Sequence, residues 1–440
     1  MKIREIRLLP PLAISRLGAS PEPVNNYDVV VEPEEPLGFR RVVPRPTLVV
    51  DRHTGRITAR ETRPVTFKDE EGRVRPVAPF IELWGLIGKE WVHLTKAQLD
   101  EAGVREIRWR AQVGNIKMFR RTGNVDDKVE ADSGWFSDHS RHALEGQCRN
   151  FLPGKSVPLG HLQFVAPTAE FPHIRIRYTP AIGKVYGPDA DDKDIPQIYD
   201  PTKDWKGYKE SSGPSLTIPA QIYAGTQDGD FWVSKGYLDD ECDGTIEVEL
   251  KMSRQTLSAL AHVGAGPPMF APDSFPIRTV YDELEMALLG PEIEPGTYSD
   301  EELQADAEEI LRRAFETVRL MNTTYMNGNG DINATSTMSR QDNGDTGRTY
   351  EPIMAPTLVD NIAVRTLHQN VFTSLRSGAP PWFVSVLRKF DEIGDLTDLG
   401  RRKMPGMMRN ADGRYLTLTR RQYEKIRLAA SRLATPGETK

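Results

Sequence analysis

The sequence predicts a mainly β protein with its helices gathered in the last third of the chain, and three observations predict it. Short runs of alternating or β-branched residues recur through the first two thirds. In residues 245–250, for example, Ile246, Val248 and Leu250 fall on one face and Glu247 and Glu249 on the other. Prolines and acidic turns punctuate these runs. Farther on, the period becomes helical, opening at the capping box Ser299-Asp300-Glu301-Glu302.

Taken in order, residues 3–17 read as a strand that turns at Pro10-Pro11, and residues 33–64 as short strands and turns. Residues 67–75 read as a hairpin about Glu70-Glu71-Gly72, with Phe80 and Trp84 of the next segment facing a core. Residues 107–119 are a strand in which Trp109 is a packing residue. Strands resume within 157–186, and residues 202–214 form a long polar and aromatic loop.

The centre of the chain, residues 231–282, combines an acidic turn, a strand, a short helix and a Pro-rich irregular loop. In the turn, Asp243-Gly244 supplies the positive φ of a tight connection. Next, Leu303, Ala307, Ile310, Ala314 and Val318 define one helix over 300–321. Residues 322–349 are too poor in bulky aliphatics to bury much and read as a long Asn/Gly-rich loop. Helical content returns at 358–375. A second capping box, Thr419 with Gln422, opens a helix running to about residue 433.

Composition bounds the function. With 57 basic and 63 acidic residues the net charge is −6, which argues against nucleic acid as a charge-driven partner. No apolar run approaches the ~20 residues of a membrane span. The N-terminus is too charged and proline-broken for a signal peptide, so a cytoplasmic location is expected. Cys148 and Cys242 are too few for a disulfide framework. One metal-ligand set stands out, Asp138, His139, His142 and Cys148, in which the histidines at i and i+3 would share a helix face. The acidic loop at Asp189, Asp191, Asp192 and Asp194 reads as solvated charge, since it lacks the turn glycine and closing glutamate of a calcium loop.

Three motifs carry a resemblance. Gly236, Tyr237, Asp239, Asp240, Asp243 and Gly244 make the first, and Pro267, Pro268, Phe270, Ala271, Pro272 and Asp273 the second. The third is Thr279, Val280, Tyr281 and Asp282. In order and spacing they resemble the lysine ε-oxidase (LodA-like) family of cysteine tryptophylquinone proteins. Met269 departs from an acidic position of that pattern. Trp109, Ala111, Asn115 and Lys117 resemble a fourth family motif, and the segment ending Gln422-Tyr423 a fifth.

The resemblance implies a large antiparallel β assembly, with residues 1–290 as the β-rich domain and 291–440 as a helical and loop region that meets a partner. It also implies an amino-acid oxidase. The family's Cys and Trp quinone precursors lie beyond the Gln-Tyr segment, and neither Cys148 nor Cys242 has their context. No cofactor is therefore expected in this chain, and a second subunit would carry the quinone half. On that reading Asp239, Asp240 and Asp243 line the approach to the partner's site, while Pro268, Phe270 and Asp273 shape the joint. Two alternatives stand beside it: a non-catalytic scaffold or binding protein, and a metal-dependent enzyme built on the Asp138, His139, His142 and Cys148 set.

Overall fold

Alternating burial builds the core of the computed structural model. It describes residues 1–30, 41–62, 66–187, 196–200, 225–228, 231–234, 238–268, 276–317, 370–371, 373–375, 384–385, 387–395, 397, 403–406 and 416–433. The protein is mainly β, with several antiparallel sheets, and its helices lie mostly in the later part of the chain. Residues 202–214, the acidic loop at 189–194 and the Asn/Gly-rich segment 322–349 lie outside the described residues. The chain divides into two units, residues 1–29 with 42–270 and residues 30–41 with 271–440.

Two sheets of the first unit hold eleven strands. In chain order these are Ile3–Leu9 (β1), Leu12–Arg16 (β2), Phe80–Ile87 (β3), Glu90–His93 (β4), Val104–Asn115 (β5), Val129–Asp132 (β6), Arg141–Gly146 (β7), Val157–Val165 (β8), Arg175–Thr179 (β9), Cys242–Met252 (β10) and Thr256–Gly266 (β11). One sheet runs β1-β3-β9-β8-β7, with β4 also on β3, and its neighbours are antiparallel. The other runs β6-β5-β10-β11-β2 and is antiparallel except where β11 meets β2.

Both sheets contribute to one core. Ile81, Leu83, Leu162 and Ile176 come from the first, and Trp109, Ile246, Val248 and Leu250 from the second, all fully buried. Each such side chain gains roughly 1.5–3 kcal/mol by leaving water. The even positions of β10 are core, as the alternation predicts, while Glu249 on the other face meets Arg108 of β5 at 2.6 Å.

Three local expectations fail. The short helix after β10 is instead strand β11, because residues 257–265 also alternate and pair along the whole of β10, from Lys251 with Thr256 to Cys242 with Ala265. Ladder hydrogen bonds and burial on one face override the helix propensity of its Leu and Ala residues. Phe80 and Trp84 are only half-buried, since β3 turns Ile81 and Leu83 to the core. Gly244 does not sit in a turn but inside β10, where a Cβ would stand 2.0 Å from the carbonyl oxygen of Gln112 on β5. That close approach, and not a positive φ, is why the position takes glycine.

The first unit also carries two short helices, Lys96–Glu101 (α1) and Lys117–Thr122 (α2). The described residues of the second unit include the helices Val280–Leu289 (α3), Asp300–Glu316 (α4) and Arg420–Leu433 (α5). The Ser299/Glu302 and Thr419/Gln422 capping boxes both form. Leu303, Ala307, Ile310 and Ala314 of α4 share a core with Ile426, Ala429 and Ala430 of α5. Beside it runs a buried ion network. Arg313 meets Asp282 at 2.6 Å, and Lys425 meets Glu285 at 2.9 Å and Asp306 at 2.6 Å. Among the described residues no helix is long and apolar enough to cross a membrane.

Candidate functional site

The acidic segment at residues 239–243 is held from two sides. The pairing of Leu238–Asp239 with Val185–Tyr186 sets residues 183 and 184 alongside Asp240. At the same time the end of β5 and the start of α2 close on Asp239. The Asp239 carboxylate accepts from Asn115 Nδ2 at 3.0 Å and from Lys117 Nζ, and the same ammonium reaches Glu241 at 2.5 Å. Burial alone would lower the Lys117 pKa, but its ion pairs with Asp239 and Glu241 raise it. Two stretches far apart in sequence, Asn115 with Lys117 and the acidic segment, thus meet as one clamp.

Asp240 behaves differently from its neighbour. It is fully buried, and its Oδ2 accepts from the backbone amides of Gly183 at 3.0 Å and Lys184 at 2.9 Å. Its Oδ1 has no donor from another described residue. Burial, reinforced by the charge of Asp239, pushes its pKa up to about 6 against the pull of the two amides. Asp240 also borders a cavity of about 310 Å³ whose walls include Ser20, Arg141, Gly160, His161 and Tyr186. A buried carboxylate titrating there can take and release a proton near neutral pH.

Cys242 Sγ lies 3.0 Å from Tyr178 Oη, which donates to the Leu159 carbonyl at 2.7 Å. Burial pushes the thiol up to about 12, so it stays protonated. Asp243 is exposed on β10 and borders a second cavity of about 150 Å³ together with Lys117, Arg120 and Glu241. Pro268 is half-buried just past β11, while Gly236, Tyr237, Phe270 and Asp273 lie outside the described residues.

Three solved structures of L-Lys ε-oxidase from Marinomonas mediterranea are similar to this chain, one of them the Schiff base intermediate with L-Lys. They share 16–17% identity and TM-scores of 0.46–0.47 with it, over 97% of this chain and 60% of theirs. The chain thus spans about 60% of the length of those oxidase chains. No protein-family model matches it, and neither does any curated protein.

The Asp138, His139, His142 and Cys148 set does not converge. Residues 138–140 form a bend and 141–146 are strand β7, so the two histidines share no helix face. His142 Nε2 meets the Asp138 carboxylate at 3.1 Å and its ring stacks on Phe136. His139 turns away to the Phe164 carbonyl at 3.0 Å, and the Cys148 thiol to the Tyr199 hydroxyl. Among the described residues no group of three or more His, Cys, Asp or Glu side chains is placed to hold a metal ion.

Sequence reasoning passed over the polar residues Arg141 and His161, which line the Asp240 cavity, and Arg177, which lines the cavity of about 150 Å³ beside it. A signal was present in β9, where Arg175 and Arg177 alternate with Ile176 and Tyr178. Arginine at a position that another layer covers marks a buried cation, but only the structure shows that Arg177 is covered.

Proposed function

We propose that this chain is the β-rich, non-quinone part of an amino-acid oxidase of the lysine ε-oxidase type, with Asp240 as a proton-accepting carboxylate. Its partner is a second subunit carrying the cysteine tryptophylquinone. The observation that carries the reading is Asp240 itself. It belongs to the first of the resembling motifs, it titrates at about 6, and it borders a cavity large enough for an amino acid.

Among the described residues, the cysteine and tryptophan side chains do not fit formation of the quinone. Both cysteines are free thiols beside tyrosine hydroxyls, with burial pushing Cys148 up to about 11 and Cys242 to about 12. The tryptophans whose surroundings are described are engaged elsewhere. Trp84 stacks on His93, Trp91 and Trp135 lie under Arg7 and Arg108, and Trp109 is buried against Phe164. This chain's share is therefore to bind, to orient and to hold a proton at the Asp240 carboxylate.

The test is amino-acid-dependent peroxide release by material purified from the protein's own source, with wild-type chain and with Asp240→Asn. Activity should fall as pH drops through about 6, where Asp240 takes up its proton. Asp240→Asn should lower kcat at least ~100-fold, the usual contribution of a positioned base. Wild-type turnover in the variant, or no peroxide from any amino acid, would overturn the reading. The scaffold reading has one observation on its side, the commitment of Asp239 to Asn115 and Lys117, which gives that part of the motif a purely structural task.

A further inference from the structure

Strands β7, β8 and β9 set Arg141, Gln163 and Arg177 directly opposite one another in one cross-strand row. Opposed residues of an antiparallel pair point to the same face, so the two arginines flank Gln163 with backbones roughly 10 Å apart, two strand spacings. The next row on that face brings His161 opposite Thr179. Arg75 joins from the segment preceding β3. These three arginines line a cavity of about 150 Å³, and Arg141 also lines the adjoining 310 Å³ cavity that reaches His161.

The balance of charge in this place is positive. Arg177 is 4% exposed, and its guanidinium donates only to neutral acceptors: Ala78 O at 3.0 Å, Leu48 O at 3.2 Å and Asn25 Oδ1 at 2.6 Å. Arg75 uses one arm on the Glu22 carbonyl at 2.9 Å and one on Glu61 at 2.8 Å. Arg141 has no hydrogen-bond or ion-pair partner among the described residues and stands exposed at the mouth. The carboxylates nearby are Glu61, already paired, Glu22 on the exposed rim, Asp240 on the wall of the adjoining cavity, where the Gly183 and Lys184 amides hold it, and Asp51. Asp51 is taken up by the amides of His53 and Thr54 and the hydroxyl of Thr54. A buried guanidinium without a counter-ion is costly unless an anion completes it.

We propose that this arginine cavity binds a small oxyanion carrying two negative charges, such as phosphate or a short dicarboxylate, with Arg141 as its gripping residue. The site shares Arg141 with the cavity that Asp240 borders, but it needs neither the quinone nor a partner chain. Arg141 closes on the anion with its planar fork, Arg177 supplies the fixed charge beneath, and Gln163 lies between them. Burial, with Arg141 and Arg177, holds His161 down to about 4, and a bound dianion would offset that field.

Isothermal titration of the full chain with inorganic phosphate and with malonate, against acetate at equal ionic strength, tests this. Saturable binding of either dianion, weakened at least ~10-fold in Arg141→Gln, is the expected result. Phosphate alone would point to a phosphoryl ligand and malonate alone to a dicarboxylate. Arg141→Lys, which keeps the charge and loses the fork, should bind more weakly than wild type and more tightly than Arg141→Gln. Proton NMR of the His161 ring gives a second readout, its pKa rising when the dianion is saturating. No saturable heat with either ion, equal binding by Arg141→Gln, or an unmoved His161 would each overturn the proposal.

Discussion

Asp239 and Asp240 are indistinguishable by type and adjacent in sequence, yet the fold gives them opposite work. Asp239 neutralises a lysine, while Asp240 sits fully buried on two amides with one oxygen unpartnered. The stability consequence has a definite sign. A carboxyl whose folded pKa of about 6 exceeds its ordinary value of 3.8 favours the folded state below pH 3.8 and loses that contribution as pH rises through 6. At neutral pH the burial of this charge costs on the order of 3 kcal/mol. Asp240→Asn should therefore be more stable than wild type in urea at pH 7.5, with the difference shrinking as pH falls from about 6 to about 4. A difference that does not change with pH would contradict the assigned burial. The thiols offer a second check at this scale. With Cys148 pushed to about 11 and Cys242 to about 12, neither should label with a thiol reagent at pH 7.5 in the folded protein, and both should label in urea.

Among elements, the strand signal was legible wherever one face is core and the other is charged. Residues 245–250 alternate with full contrast and appear in β10 as expected. Residues 257–265 alternate with small apolar residues, whose contrast is weak enough to pass for helix, and their pairing partner lies in the neighbouring strand. The capping boxes at Ser299 and Thr419 were legible because their chemistry is local. The one at Thr279 with Asp282 was read only as a motif. Its aspartate does double duty: burial would raise its pKa, yet Arg313 and the Thr279 donors lower it. Asp282→Asn keeps the cap and leaves the buried Arg313 with only its longer pairing to Glu309 at 3.7 Å. The expected loss is ~3 kcal/mol or more, measured by urea denaturation. Gly244→Ala belongs to the same scale. A methyl 2.0 Å from the Gln112 oxygen cannot be accommodated without parting β5 from β10, so the variant should lose at least ~3 kcal/mol or fail to fold.

For the whole molecule, the sequence indicated a β-rich portion followed by helices, and that distribution is what the structure has. What it could not indicate is which polar groups converge. Asn115 and Lys117 lie more than a hundred residues from Asp239, and Arg141, Gln163 and Arg177 meet only through strand register. The Asp138, His139, His142 and Cys148 set fails for the converse reason: its members are close in sequence, but only Asp138 and His142 meet, while His139 turns to the Phe164 carbonyl and Cys148 to Tyr199. The proposal that this chain works as one part of a quinone-dependent oxidase is most directly tested by native mass spectrometry of the protein purified from its own source, followed by quinone staining of each separated chain. The account predicts a co-purifying second polypeptide that stains while this chain does not. This chain found alone, with no stain in any band, would contradict it.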